Sequence, residues 1–140
     1  MSHAVRAVLV LLLVLAAPAR AADTPTPKDT LGIHLFSQHL PAANYNNVNP
    51  GLYYRLAEGP VMGAYRNSVR RTSVYAGYTW QWGRFDLTTG AVTGYAKGAQ
   101  LLLVPSVGLF TVGGVTTRLA YIPRMEKRIG SNVLHVAVEL

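Results

Sequence analysis

The sequence predicts an all-β protein, an eight-stranded antiparallel up-and-down barrel built to span a membrane. Three observations carry that prediction: apolar and polar residues alternate in short runs bounded by turn residues, the runs number eight, and a secretory leader precedes them. An even strand count with tight connections on one side and longer ones on the other is the expected pattern of a barrel in a Gram-negative outer membrane.

The leader is read first, because it must be set aside before any fold argument. Arg6 gives a basic start, residues 7–17 form an apolar run, and Ala19-Arg20-Ala21 has the small-x-small form of a cleavage site. The apolar run falls short of the roughly 20 residues that a spanning helix needs. Residues 1–21 are therefore expected to be a signal peptide, 22–29 a short periplasmic leader with Pro25 and Pro27, and 30–140 the barrel. Of 13 basic residues, Arg6 and Arg20 leave with the signal, so the mature chain carries 11 against 6 acidic residues, or +5. Absence of cysteine removes disulfides and thiolate metal sites.

The eight expected strands are residues 30–40, 51–57, 61–68, 72–82, 85–95, 100–110, 115–122 and 132–140. Connections at 58–60, 83–84 and 111–114 are tight, those at 41–50 and 123–131 are long, and 69–71 and 96–99 are short but lie on the long-loop side. No mature segment holds 18 consecutive apolar residues, since the densest, 101–110, is interrupted by Pro105, Ser106 and Gly108.

The last strand alternates most cleanly: Leu134, Val136, Val138 and Leu140 share one face, and His135, Ala137 and Glu139 the other. The same parity predicts Arg55, Arg66, Arg118 and Glu139 inside, because an outward charge in hydrocarbon costs about 2–4 kcal/mol at mid-depth. Tyr54, Tyr65, Tyr78, Trp80 and Tyr121 then face outward, either as an interfacial aromatic girdle or, in a soluble sandwich, as a core stripe. Eight strands enclose room for side chains or one slim ligand, which argues against a diffusion pore.

Basic residues concentrate on the long-loop side: Arg70, Arg71, Lys97, Arg124, Lys127 and Arg128, against Glu126. Such a rim suits the phosphates of lipopolysaccharide at about 1 kcal/mol per contact; an ordinary solvated loop surface accounts for it equally. No motif suggests nucleic acid. His34, His39 and His135 form no HExxH or comparable motif, so neither metal nor cofactor is expected, and nothing marks an oligomer interface.

The stretch Gly63-Ala64-Tyr65-Arg66-Asn67-Ser68, followed by Ser73-Val74-Tyr75-Ala76-Gly77-Tyr78-Thr79-Trp80, resembles the catalytic-loop and fourth-strand segment of the lipid A palmitoyltransferase family (PagP). Leu101 to Gly108 with Pro105, Leu119-Ala120-Tyr121-Ile122-Pro123, and Gly32-Ile33-His34-Leu35-Phe36 resemble that family's sixth, seventh and first strands. The resemblance implies transfer of an acyl chain from phospholipid to lipid A, with His34 and Ser68 as catalytic residues and Asn67 where the family has aspartate. It also implies an acyl pocket along Tyr75, Gly77 and Thr79, the last in place of the family's floor glycine. Pro105 and Pro123, lacking N–H donors, would open the barrel sideways between strands six and seven, and Pro50 would loosen the first two strands; as loop-edge prolines they would do neither. His39 is the alternative base, nearer the rim where Ser68 emerges. Two further readings use the same barrel: a deacylase that passes the acyl group to water, and a non-enzymatic barrel, structural or lipid-binding, in which Asn67-Ser68 only starts a turn.

Overall fold

In the computed structural model, residues 26–42, 44–123 and 132–140 are described. They build β1 (Thr30–Leu40), β2 (Val48–Arg55), β3 (Pro60–Arg66), β4 (Thr72–Trp82), β5 (Phe85–Val92), β6 (Gln100–Val112), β7 (Val115–Ile122) and β8 (Asn132–Glu139). Every strand pairs antiparallel with its sequence neighbour, and β8 returns to β1, from Gly32↔Glu139 to Leu40↔Asn132. The eight-stranded closed barrel is thus as the alternation predicts. Closure leaves no free edge strand. The expected signal peptide, the first half of the leader, and Arg124, Lys127 and Arg128 lie outside the described residues.

Several boundaries move. Strand β2 starts three residues earlier than expected, β3 stops at Arg66 and β5 at Val92. At β3 the reason is local: the Asn67 side chain takes over the backbone groups that a ladder would use, and the chain turns there. At the end near the termini, Gly113 and Gly114 join β6 to β7 with φ of 58° and 80°. Two successive positive φ values are what a two-residue type I′ hairpin requires.

Burial is inverted relative to a water-soluble domain. Among the described residues, buried polar side chains outnumber buried apolar ones twelve to six, while Leu52, Met62, Val74, Trp82, Leu101 and Phe110 are all exposed. A protein that hides its polar groups and displays its large apolar ones is matched to an apolar surrounding.

Inside, Arg55, Asp86, Arg118 and Glu139 form a closed ring of charges. Arg55 Nη1 lies 3.2 Å from Asp86 Oδ2 and 2.9 Å from Glu139 Oε1. Arg118 Nη1 lies 3.2 Å from Asp86 Oδ2, and its Nε 3.1 Å from Glu139 Oε2, close enough for ion pairing though not aligned as a hydrogen bond. Tyr53 OH donates to Glu139 Oε1 at 2.6 Å. Two cations and two anions cancel, so the ring floors the barrel without net charge. Three of its members were expected inside; Asp86 completes it.

One expected pair is reversed. Tyr65 points inward, where its hydroxyl meets that of Tyr95 at 2.7 Å, and Arg66 is exposed. The inward set of β3 is Val61, Gly63 and Tyr65, and Arg66 ends the strand beside the loops, where its charge reaches the rim.

Strand β1 carries the feature that positions the site. Its register shifts between His34 and Phe36 on both sides: against β8 Leu35 is the extra residue of a β-bulge, whereas against β2 the extra residue lies on β2, between Val48 and Gly51. Residues 34 and 39, five apart, would face opposite ways in a regular strand. With the bulge, Leu35 and Phe36 both turn outward, and His34, Ser37 and His39 all line the interior.

Candidate active site

The β3–β4 connection is a compact five-residue turn. Asn67 N donates to Arg71 O at 2.8 Å and Arg70 N to Asn67 O at 3.1 Å, with Arg70 at φ 63°. That left-handed conformation is strained for a residue with a Cβ, by about 1 kcal/mol. The Asn67 side chain, wholly buried, holds the turn from inside. Its Oδ1 accepts from the N–H of Val69 (3.0 Å) and of Arg71 (2.9 Å), and its Nδ2 donates to Ser73 Oγ (3.0 Å) and Gly94 O (3.1 Å). Asn67 therefore organises the loop and makes no contact with a histidine.

Ser68, presented by this turn, meets His39. Ser68 Oγ lies 2.8 Å from His39 Nε2, and His39 Nδ1 lies 2.7 Å from Asn47 Oδ1. An amide oxygen can only accept, so Nδ1 carries the ring proton and Nε2 is left to accept from the serine hydroxyl. The chain Ser68→His39→Asn47 thus has the polarity of a nucleophile, a base and a group that orients the base. Tyr45 stacks on the imidazole, with centroids 4.5 Å apart. Asn46 ties the two loops together: its N–H donates to Ser68 O at 2.9 Å and its side-chain amide to Asn67 O at 3.2 Å.

His34 lies elsewhere in the cavity. Its Nδ1 is 2.8 Å from His135 Nε2, its Nε2 is 2.9 Å from Tyr75 OH, and His135 Nδ1 is 2.8 Å from Ser37 Oγ. Both His34 nitrogens are engaged, so of the two candidate bases the one that meets Ser68 is His39.

The interior holds a cavity of about 530 Å³ that runs from Ser68 and His39 down to the charge ring, with Tyr53 and Tyr75 across its waist. Room for those rings comes from glycine: a Cβ at Gly32 would stand 1.9 Å from Tyr53 Cζ. Thr79 lines the lower part, with its hydroxyl 2.8 Å from that of Thr88. Gly77 is not part of the lining; a Cβ there would fall 1.9 Å from Thr89 O, so glycine serves the close approach of β5.

One wall is incomplete. Pairing between β6 and β7 starts at Ser106↔Ala120, although β5 pairs with β6 up to Val92↔Gln100 and β8 pairs with β7 up to Ile122↔Val133. Pro105 stands where the ladder ends, with no N–H to continue it. Both faces of β6 line the cavity here, Leu101 and Leu103 with Leu102 and Val104, as do Ile122 and Pro123 across the gap. Pro50 also interrupts pairing: the β2–β3 register begins at Gly51↔Tyr65, and Asn49 Nδ2 bridges to Arg66 O at 2.9 Å instead. Pro50 is exposed and lies outside the cavity lining. Arg70, Arg71 and Lys97 are exposed at the same end as Ser68.

Sequence reasoning missed Asn47, Asp86 and the inward Tyr65. The run Asn44-Tyr45-Asn46-Asn47-Val48-Asn49 was the available signal, four amides within six residues beside a histidine. Among the described residues no group of three His, Asp or Glu side chains converges as metal ligands would. Compared with protein-family models, curated proteins and solved structures, the chain matches none.

Proposed function

We propose that this barrel resides in the outer membrane and acts on ester-linked acyl chains of lipids, with Ser68 as nucleophile, His39 as general base and Asn47 orienting the base. The observation that carries the reading is the unbroken Ser68–His39–Asn47 hydrogen-bonded chain at the mouth of a cavity large enough for an alkyl chain. Ser68 attacks the ester carbonyl as His39 takes its proton; the leaving alcohol receives that proton, and the acyl group stays on Ser68. A second alcohol, with lipid A the acceptor the resemblance suggests, then takes the acyl group and regenerates the serine.

Three features favour a donor that arrives from the bilayer. The β6–β7 gap opens the cavity sideways between Pro105 and Pro123, its walls are leucine, valine and isoleucine, and the belt of exposed apolar side chains suits immersion. Phospholipid is accordingly the proposed donor, and the basic residues at the rim suit the phosphates of lipopolysaccharide. Delivery to water in place of lipid A would use the same residues. Mass spectrometry of lipid A from cells with and without the protein separates the outcomes. A gained acyl mass supports transfer, a lost one supports deacylation, and an unchanged spectrum with unchanged phospholipids rejects both in favour of a passive barrel.

A further inference from the structure

Acyl transfer at Ser68 places negative charge on the former carbonyl oxygen, and that charge needs hydrogen-bond donors. In many serine enzymes the residue after the nucleophile supplies one from its backbone. Here that source is spent: the N–H groups of Asn67, Val69, Arg70 and Arg71 all donate within the turn. The neighbouring Asn46 N–H donates to Ser68 O. A side chain can supply a donor alongside the N–H of Ser68 itself, and the β5–β6 connection brings one. Gly94 is pinned to Asn67 by the bond from its amide, so the next residue, Tyr95, is held against the Ser68 loop, and both Tyr95 and Ser68 line the cavity.

We infer that Tyr95 is a catalytic residue whose hydroxyl donates to the oxyanion formed at Ser68, and that Tyr65, 2.7 Å away, is the positioning residue that prepares it. The inference rests on the acyl-transfer reading above. When Tyr65 donates its proton to the Tyr95 oxygen, the Tyr95 proton is left to point at the substrate, and the accepted bond makes Tyr95 a stronger donor. In the tetrahedral step the Ser68 Oγ–C bond forms, the carbonyl π pair moves to oxygen, and the serine proton passes to His39 Nε2. Tyr95 keeps its proton throughout and only shares it with the oxyanion. Collapse restores the carbonyl and expels the alcohol, which takes the proton from His39. Neither tyrosine was expected to serve the site, because sequence parity assigns Tyr65 to the outer face.

The test uses full-length protein refolded in micelles, with a chromogenic fatty-acyl ester as substrate and a trifluoromethyl ketone of the same chain length as a probe of the tetrahedral state. Tyr95→Phe is expected to lower kcat by about 10²-fold with KM unchanged, and to weaken the ketone by a similar factor. Tyr65→Phe should have a smaller effect on both. A Tyr95→Phe protein with kcat and ketone affinity within threefold of wild type overturns the inference while leaving the Ser68 reading intact. Loss of KM and kcat together with a lowered unfolding midpoint also overturns it, as a purely structural role. Wild-type protein that neither turns over the ester nor binds the ketone removes the acyl-transfer reading and this inference with it.

Discussion

Asn47 and Asn67 show how much depends on which residue touches which atom. Asn67 is the position where the resembled family has aspartate, yet its four side-chain hydrogen bonds go to Val69, Arg71, Ser73 and Gly94 and none to a histidine. Asn47 is the residue that meets His39 Nδ1. An amide there fixes the right tautomer but cannot neutralise an imidazolium. Asn47→Asp should therefore raise kcat on a chromogenic ester, by about tenfold or roughly 1.4 kcal/mol, while Asn47→Leu lowers it by about 10²-fold. The same assay gives the reference loss for Ser68→Ala, about 10⁴-fold or more. Thr79 carries a second residue-level prediction. Removing its side chain deepens the cavity, so Thr79→Gly should shift the preferred acyl chain to greater length, read by mass spectrometry of mixed-chain competition; an unchanged preference sinks the assignment of Thr79 to the acyl floor.

At the level of elements, β1 decides the site. Its bulge lets two histidines five residues apart share the interior, which strict alternation forbids. Because Leu35 is the extra residue, deleting it restores plain alternation with Ser37 and His39 still inward. Deleting Gln38 instead turns His39 toward the outer face. The first deletion is expected to leave ester turnover within about tenfold of wild type, and the second to lower it by about 10³-fold or more, as for loss of the base. Heat-modifiable migration in gels checks that both barrels form. The gap between β6 and β7 has a comparable logic. Pro105 removes a donor where pairing stops, and leucines from both faces of β6 then reach the cavity. A bulky Ala120→Trp at the first pair below the gap should slow turnover of bilayer phospholipid about tenfold or more while sparing a short soluble ester.

For the whole molecule, the ring of Arg55, Asp86, Arg118 and Glu139 joins four strands across the barrel. Breaking a buried ion pair on one side strands the other charge. Glu139→Gln should lower the unfolding free energy by about 3–5 kcal/mol, measured by denaturant titration in micelles. Much of this architecture was legible from the chain, because strand periodicity is a local property: side chains two apart share a face, and apolar groups outside with polar groups inside write that alternation into residues 132–140. The eight strands, the inward Arg55, Arg118 and Glu139 and the outward Tyr54, Tyr78 and Trp80 follow from it. Parity holds along β3, and Tyr65 and Arg66 were exchanged because a charge was expected inside, although Arg66 ends the strand at the rim. The partnership of Ser68 with His39 and Asn47 belongs to a different class of fact. It depends on a bulge that resets the alternation of β1 and on closure, which sets the β1–β2 and β3–β4 loops side by side, and neither is encoded in the spacing of any one segment. The alternation of side chains was thus determined by the sequence alone, whereas the convergence of Ser68, His39 and Asn47 was decided by tertiary structure, because alternation arises within one strand and convergence only between strands that the barrel brings together.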